Sequence, residues 1–228
     1  MTETITHIDN FDIINGILDF SEPNTFYFVQ VLKWRKENPD MKTNVRVINN
    51  YYIYSNKDLV NLKPKITADC ELHNARAYIN LNRLNLVKIA LYTQKIIIEY
   101  IIAEQYENVK NAYSVACGNH HSEHENENDD EDTEDVGGYT SEKVKKWVID
   151  IDTKDEHVKA EILAHVAELH KEFKREPPYR VIAEIPTKNG VHVISNPFNL
   201  KKFKDTYKDV DVHKNSPTLL YYSFSIEI

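Results

Sequence analysis

The feature that most constrains the fold of this chain is an acidic run near its middle. Residues 123–135 hold nine aspartate and glutamate side chains and no lysine or arginine. Such a segment has little apolar surface to bury and repels itself, so we expect residues 119–138 to form a disordered loop. The folded part must then come from two units, residues 1–118 and 139–228. Without the nine acidic charges the formal net charge of −8 becomes +1, so these units are close to neutral.

Both units combine strand and helix patterns, which predicts an α/β protein. The first unit has predicted strands at residues 26–34, 45–54 and 76–81 and predicted helices at 11–20 and 84–107. The second has predicted strands at residues 146–151, 179–185, 191–195 and from 211 or 219 onward, with helices at 156–173 and 199–207. The β-α-β-β-α-β order of the second unit is typical of a ferredoxin-like, or RRM-like, sheet. Because that fold carries many functions, the order does not assign an activity.

Two aspartates end the first strand of the second unit. Asp150 and Asp152 follow the apolar run that begins at Trp147. Alternate side chains of a strand point to one face, so the two carboxylates would lie about 6–7 Å apart. Their repulsion would be relieved by a divalent cation, which prefers oxygen ligands. For an isolated pair the commoner alternative is a strand end, where the aspartates face water or cap the next helix.

A second polar group is expected beside these aspartates. The first and third strands of a β-α-β-β-α-β sheet are central neighbours, and His192 opens the third strand after the Asn189-Gly190 turn. An imidazole, Lys188 and backbone amides near a glycine suit an anionic phosphate. Asp211, with Asp209 in reserve, lies near the last strand. Taken singly, a core histidine and turn aspartates are the ordinary interpretations.

In this order, the three motifs resemble those of the archaeo-eukaryotic primase superfamily, the primase-polymerases of archaea, eukaryotes, plasmids and phages. Asp150 and Asp152 are similar to the family's hydrophobic-Asp-hydrophobic-Asp motif. Gly190 and His192 are similar to its histidine motif after a glycine turn, and Asp211 to its third, acidic motif. The resemblance covers residues 145–222 and suggests a member of the phage or plasmid type. It implies that both units form one catalytic core.

The resemblance implies a metal-dependent nucleotidyltransferase that adds nucleoside triphosphates to a nucleic-acid chain on a single-stranded or primed DNA template. It assigns catalysis and the binding of Mg²⁺ or Mn²⁺ to Asp150, Asp152 and Asp211. It assigns nucleotide binding to His192, Lys188, Asn189 and Gly190. The chain has no Gly-x-x-x-x-Gly-Lys-Ser/Thr segment, so any helicase would be a separate protein.

Two alternatives stay open from the sequence. The first is a non-catalytic nucleic-acid-binding module of a replication system, built on the same scaffold. The second is a different metal-dependent phosphotransferase or a nuclease. Incorporation of labelled nucleotides, binding without incorporation, and degradation of a labelled strand distinguish the three functions.

Cys117, His120, His121 and His124 form a second candidate metal site. One thiol and three imidazoles within eight residues could bind zinc. Tetrahedral closure is strained in so short a loop, and a solvated polar loop is the favoured alternative.

The cellular location is predicted from what the chain contains. Its two cysteines make no disulfide framework, which fits a reducing compartment. We see neither a secretion signal nor a run of apolar residues long enough to span a membrane. The sequence therefore predicts a soluble cytoplasmic protein with no membrane partner, located in the bacterial host cell if it is phage-encoded.

Overall fold

The structure is a computed structural model that describes residues 3–118, 144–172 and 180–227. Within these residues the chain has a mixed α/β architecture with antiparallel sheets. The predicted acidic loop at residues 119–138 lies outside them. Among the described residues, no helix combines the length and the apolar character needed to cross a membrane.

The elements of the described residues follow one another along the chain in this order. They are β1 (Glu3–Asp9), α1 (Phe11–Asn15), β2 (Thr25–Trp34), β3 (Val45–Ile53), α2 (Asn56–His73), β4 (Arg76–Ile79), β5 (Leu84–Asn85), α3 (Leu86–Ile102), a 3-10 helix (Tyr106–Asn111), α4 (Ala112–Gly118), β6 (Trp147–Ile151), α5 (Glu156–Glu172), β7 (Val181–Pro186), β8 (Val191–Ser195), α6 (Leu200–Thr206), β9 (Asp211–His213) and β10 (Thr218–Glu227).

The first sheet has the strand order β1-β10-β4-β2-β3, and β5 pairs with the start of β2. Helices cover both faces of this sheet, and the side chains of β2, which point alternately to the two faces, contact both sets of helices. Val29 and Val31 lie in the core that α1 and α2 close, whereas Phe26 and Phe28 lie in the core that α3 and α4 close. This burial on both faces explains why β2 is an almost continuous apolar run.

Helix α2 was not among the sequence predictions. It begins after Ser55, whose side chain accepts a hydrogen bond from the backbone N–H of Asp58, and it ends at Asn74 in a left-handed conformation. Pro64 lies inside the helix, where proline is normally unfavourable. The helix predicted at 84–107 is observed as the shorter α3, Leu86–Ile102. The chain then turns at Glu104, whose φ is 57°, and a 3-10 helix follows.

The second sheet has the strand order β7-β8-β6-β9, with β6 and β8 as central neighbours. On β6 and β8 the odd-numbered residues, such as Ile149 and Val193, pack against α5 and α6. The even-numbered Val148 and Ile194 belong to the core shared with the first sheet. One face of the second sheet is therefore closed by helices, and the other faces the first sheet.

The last strand corrects the predicted division into units. Residues 139–228 were assigned together to the second unit, but β10 lies in the first sheet between β1 and β4. The final strand was predicted to begin at residue 211 or 219. The structure has a strand at each place, because β9 begins at Asp211 and β10 at Thr218. The sheets also meet at Asn10, whose side-chain amide donates to the carbonyls of Pro186 and Leu219 at 3.0 Å each.

Candidate functional site

The strand register gathers the predicted side chains around Asp150. In the antiparallel ladder, Asp150 lies directly opposite His192 of β8 on one side and Asp211 of β9 on the other. Directly opposite residues of neighbouring strands share a face of the sheet. Asp152 follows two residues later, where alternation returns the chain to the same face. His213 lies opposite Val148 and joins this face too.

His192 is held between the two sheets. Its Nε2 lies 3.5 Å from Asp150 Oδ1, and its Nδ1 lies 2.9 Å from the hydroxyl of Thr218 at the start of β10. The side chains of His192 and Asp150 are 15% and 30% exposed. The Oδ1 atom of Asp150 is nevertheless buried, and it accepts no hydrogen bond from any of the described residues. This pair is therefore half-buried, with one carboxylate oxygen left unsatisfied.

Burial changes the protonation of both groups. It raises the pKa of Asp150, an effect that His192 opposes and that the nearby Asp152 and Asp211 strengthen. Burial also lowers the pKa of His192, although the Asp150 carboxylate acts in the opposite direction, and His213 lowers that pKa further. Both shifts favour the uncharged forms of Asp150 and His192, and the negative charge of Asp152 and Asp211 opposes ionisation of Asp150. Such a site favours an added cation.

Gly190 explains how the turn before β8 approaches the aspartates. A Cβ atom at this position would lie 1.9 Å from the carbonyl oxygen of Ile151 and 2.8 Å from the backbone nitrogen of Thr153. The turn therefore packs directly on the backbone that flanks Asp152. The N–H of Gly190 donates to the Thr187 hydroxyl at 3.1 Å, so this amide is not the free donor that the sequence interpretation expected near the glycine.

The other two predicted nucleotide-binding residues lie exposed in this turn. The Lys188 ammonium sits 4.9 Å from the ring centroid of Phe224 on β10 in a cation–π contact, and Asn189 is exposed. Such a contact costs little to break at an exposed site. Lys188 can therefore reorient toward an anion bound near the turn.

Asp211 lies on the same sheet face as Asp150, but its side chain is exposed and faces Lys204. Its side chain is 73% exposed, and its Oδ1 lies 3.8 Å from the Lys204 ammonium of α6. Across the described parts of the chain, no group of three or more His, Cys, Asp or Glu side chains is arranged so that it could hold a metal ion. Asp209, the reserve candidate, is exposed in the turn before β9.

The residues present fit a divalent cation at Asp150 and Asp152. Carboxylate oxygens are the ligands that Mg²⁺ and Mn²⁺ take, and the unsatisfied, buried Asp150 oxygen lacks the donor that a purely structural carboxylate would have. Asp211 could join them only if its exposed side chain turned away from Lys204. Asp150 and Asp152 could therefore supply oxygen ligands, while the third carboxylate, Asp211, contacts Lys204.

The candidate zinc site is described only at Cys117. That residue lies in α4, fully buried in the core that contains Phe26 and Phe28. Burial raises the pKa of its thiol to about 12, so it behaves here as an apolar core residue. His120, His121 and His124 lie outside the described residues.

Two residues of the site were missed from the sequence. His213 stands two residues after Asp211, so the alternation that joins Asp150 to Asp152 could have identified it. Thr218 carried no such signal, because it approaches His192 from the other sheet.

No protein-family model, curated protein or solved structure matches this chain. The function must therefore be inferred from the arrangement of these side chains and from the motifs that they form.

Proposed function

We propose that this protein is a metal-dependent nucleotidyltransferase of the primase-polymerase type, which adds nucleoside triphosphates to a nucleic-acid chain on a DNA template. The observation that carries the proposal is the register of Asp150, which has His192 directly opposite it on one strand and Asp211 on the other. These residues come from the three motifs that resemble the primase superfamily. The strand order β7-β8-β6-β9 supports the finer proposal that the second unit is RRM-like.

Asp150 and Asp152, with Asp211 once it leaves Lys204, would hold Mg²⁺ or Mn²⁺. When bound, the cation neutralises the charge that develops on the phosphates as a 3′-hydroxyl attacks the α-phosphate and pyrophosphate leaves. The chain's own contribution is a rigid placement of the carboxylates, because Asp150 lies on a central strand and its neighbour Ile151 is buried.

His192 would contact the phosphates of the incoming nucleotide. The Thr218 hydroxyl fixes the ring at Nδ1, so Nε2 is the atom that can reach a ligand. Lys188 would leave the Phe224 ring and supply a positive charge to the same phosphates. The turn brings Lys188 and Asn189 near His192 because Gly190 allows the close approach to β6.

The described surface offers positive charge for a template strand beside the site. Lys201, Lys202 and Lys204 lie on α6; Lys202 pairs with Glu172 at 2.7 Å, and Lys204 contacts Asp211. A phosphate backbone there would compete with Asp211 for the Lys204 ammonium. Release of Asp211 toward Asp150 would then accompany template binding.

A second candidate function is the non-catalytic nucleic-acid-binding module. It is favoured by the Lys204–Asp211 contact and by the absence, among the described residues, of an assembled metal-binding group. In that function the carboxylates would have no metal-dependent role, and nucleic acid would bind without being extended.

The deciding experiment is incorporation of labelled nucleotides into a primed single-stranded DNA template, with and without Mg²⁺ or Mn²⁺. We expect metal-dependent extension by the wild-type protein and its loss in Asp150→Asn. Asp205→Asn, which removes an exposed carboxylate on α6, is the matched control and should extend normally. Template binding with no extension would support the non-catalytic module, and shortening of the labelled strand would support a nuclease.

A further inference from the structure

Helix α3 is apolar on two opposite faces. One face carries Ile89, Tyr92 and Ile96, which are buried against the first sheet. The opposite face carries five large aliphatic side chains that stay in solvent, and we call them the α3 stripe. The α3 stripe consists of Val87, Leu91, Ile98, Ile101 and Ile102, which are 57%, 61%, 57%, 49% and 77% exposed. A helix that is apolar all round is normally covered on all sides.

The spacing of the α3 stripe matches the seam between two packed helices. Positions 87, 91, 94, 98 and 101 recur at intervals of four, three, four and three residues, as in a heptad pattern. Gln94 is the polar residue in this series. A single polar residue among apolar seam positions commonly fixes the register of a helix pair at some cost in stability. The pattern therefore specifies a helix as the occupant.

The exposed area is large enough for a stable pair of chains. Tyr106, which is 63% exposed, extends the α3 stripe beyond the end of the helix. Together these side chains expose roughly 600 Å² of apolar surface, so two copies could bury at most about 1,200 Å², the lower end of a standard interface. A patch of this size is at the upper limit for a protein that stays monomeric.

The charges along α3 are complementary to those of a second, antiparallel copy. Lys88 lies near the start of α3 and Glu99 near its end, whereas Lys95 lies next to the centre and pairs with Glu99 of the same helix at 3.7 Å. An antiparallel pair centred on Gln94 brings Lys88 of each copy to the level of Glu99 of the other, and it also opposes the two helix dipoles. A two-fold axis through the middle of α3 gives both copies the same set of contacts.

We infer that the α3 stripe is the interface of a two-fold homodimer in which α3 of one copy packs antiparallel against α3 of the other. The occupant is a second copy of this chain, because the surface complements itself in both apolar spacing and charge. This inference does not depend on the proposed reaction, since none of the site residues lies on α3.

The first test is the mass of the full chain in solution, measured by size-exclusion chromatography with light scattering at micromolar concentration. We expect the wild type at twice the 26.7 kDa of one chain. Leu91→Glu combined with Ile98→Glu should give the mass of one chain while the far-ultraviolet circular dichroism stays unchanged. Val60→Glu is the matched control, because Val60 is 63% exposed on α2, outside the α3 stripe, and it should stay dimeric.

Cysteine crosslinking tests the orientation of the two helices. Gln94 lies at the centre of the antiparallel pair, so Gln94→Cys should form a disulfide-linked dimer under mild oxidation. Val87 lies seven residues away, which separates the two copies of that position by roughly 20 Å along the helix axis. Val87→Cys should therefore not crosslink. The native Cys70 and Cys117 are buried and give a low background.

Three results would overturn the inference. One is a wild-type protein with the mass of a single chain, whether or not another protein binds the α3 stripe. Another is a dimer that survives the Leu91→Glu and Ile98→Glu double substitution. The third is crosslinking of Val87→Cys that equals or exceeds that of Gln94→Cys, which would exclude the antiparallel arrangement.

Discussion

Replacing Gly190 with alanine should destabilise the fold and disturb the candidate site at the same time. The new Cβ would lie 1.9 Å from the Ile151 carbonyl oxygen and 2.8 Å from the Thr153 nitrogen. Both obstructing atoms belong to the backbone, so no flexible side chain can move aside. The turn before β8 and the end of β6 must separate by about 1 Å or more to reach an ordinary contact.

The expected cost follows from this overlap. Overpacking typically costs about 1–3 kcal/mol, and two rigid backbone contacts place Gly190→Ala near the upper end, at about 3 kcal/mol. Urea denaturation followed by circular dichroism measures the free energy of unfolding. Separation of the strands should also weaken metal-dependent nucleotide incorporation, because His192 and Asp152 lie on either side of the contact.

Gly16→Ala is the control within the same chain. There the nearest atom to a new Cβ is the Ile13 carbonyl oxygen at 3.4 Å, and Gly16 has helical backbone angles. Alanine at such a position should be tolerated or should stabilise the protein by about 0.4–1 kcal/mol. If Gly190→Ala unfolded within about 0.5 kcal/mol of the wild type, the close approach of the turn to β6 would be refuted.

Three further predictions concern the candidate sites. Burial raises the pKa of Asp150, so without divalent cations this carboxyl favours folding below its ordinary pKa, and the contribution is lost as the pH rises through the raised pKa. Asp150→Asn should therefore flatten this part of the stability profile and increase the free energy of unfolding at neutral pH. Urea titrations across the pH range would measure both effects. His192→Gln should raise the KM for the nucleoside triphosphate about tenfold, with a smaller change in kcat, because one hydrogen bond to a charged phosphate is lost. An unchanged KM in steady-state assays would remove His192 from the nucleotide site. Cys117→Ala should lower the free energy of unfolding by about 1–2 kcal/mol, because it leaves a cavity. Elemental analysis of this variant should find the same zinc content as in the wild type. Loss of bound zinc would instead support the candidate zinc site.

The regular parts of the fold could be predicted because local signals agreed there. The strand from Val191 to Ser195 follows an Asn-Gly turn and is apolar, and its predicted bounds match β8. The helix at Glu156 has a clear start and a 3.6-residue pattern, so α5 was predicted almost in full. The pairing of Asp150 with His192 followed from the expected pairing of the first and third strands, whereas Asp211 was assigned to the site by the resemblance to the primase superfamily.

The remaining features depend on contacts between distant parts of the chain. Strand β10 pairs with β1, more than 200 residues earlier, and no local pattern specifies that partner. Helix α2 contains Pro64, a residue that is unfavourable inside a helix, and packing of Leu59 and Ile66 against the sheet outweighs that preference. The contact between Asp211 and Lys204 is also tertiary, which is why sequence reasoning placed all three aspartates on one cation.

The most direct test of the central claim is calorimetric titration of Mn²⁺ into the full chain, alone and with a non-hydrolysable nucleoside triphosphate. The account predicts that the wild type binds Mn²⁺ and binds it more tightly with the nucleotide. Asp150→Asn and Asp152→Asn should each lose most of that binding, while Asp205→Asn should keep it. Equal Mn²⁺ binding by the wild type and Asp150→Asn would contradict the claim that these carboxylates form a cation site.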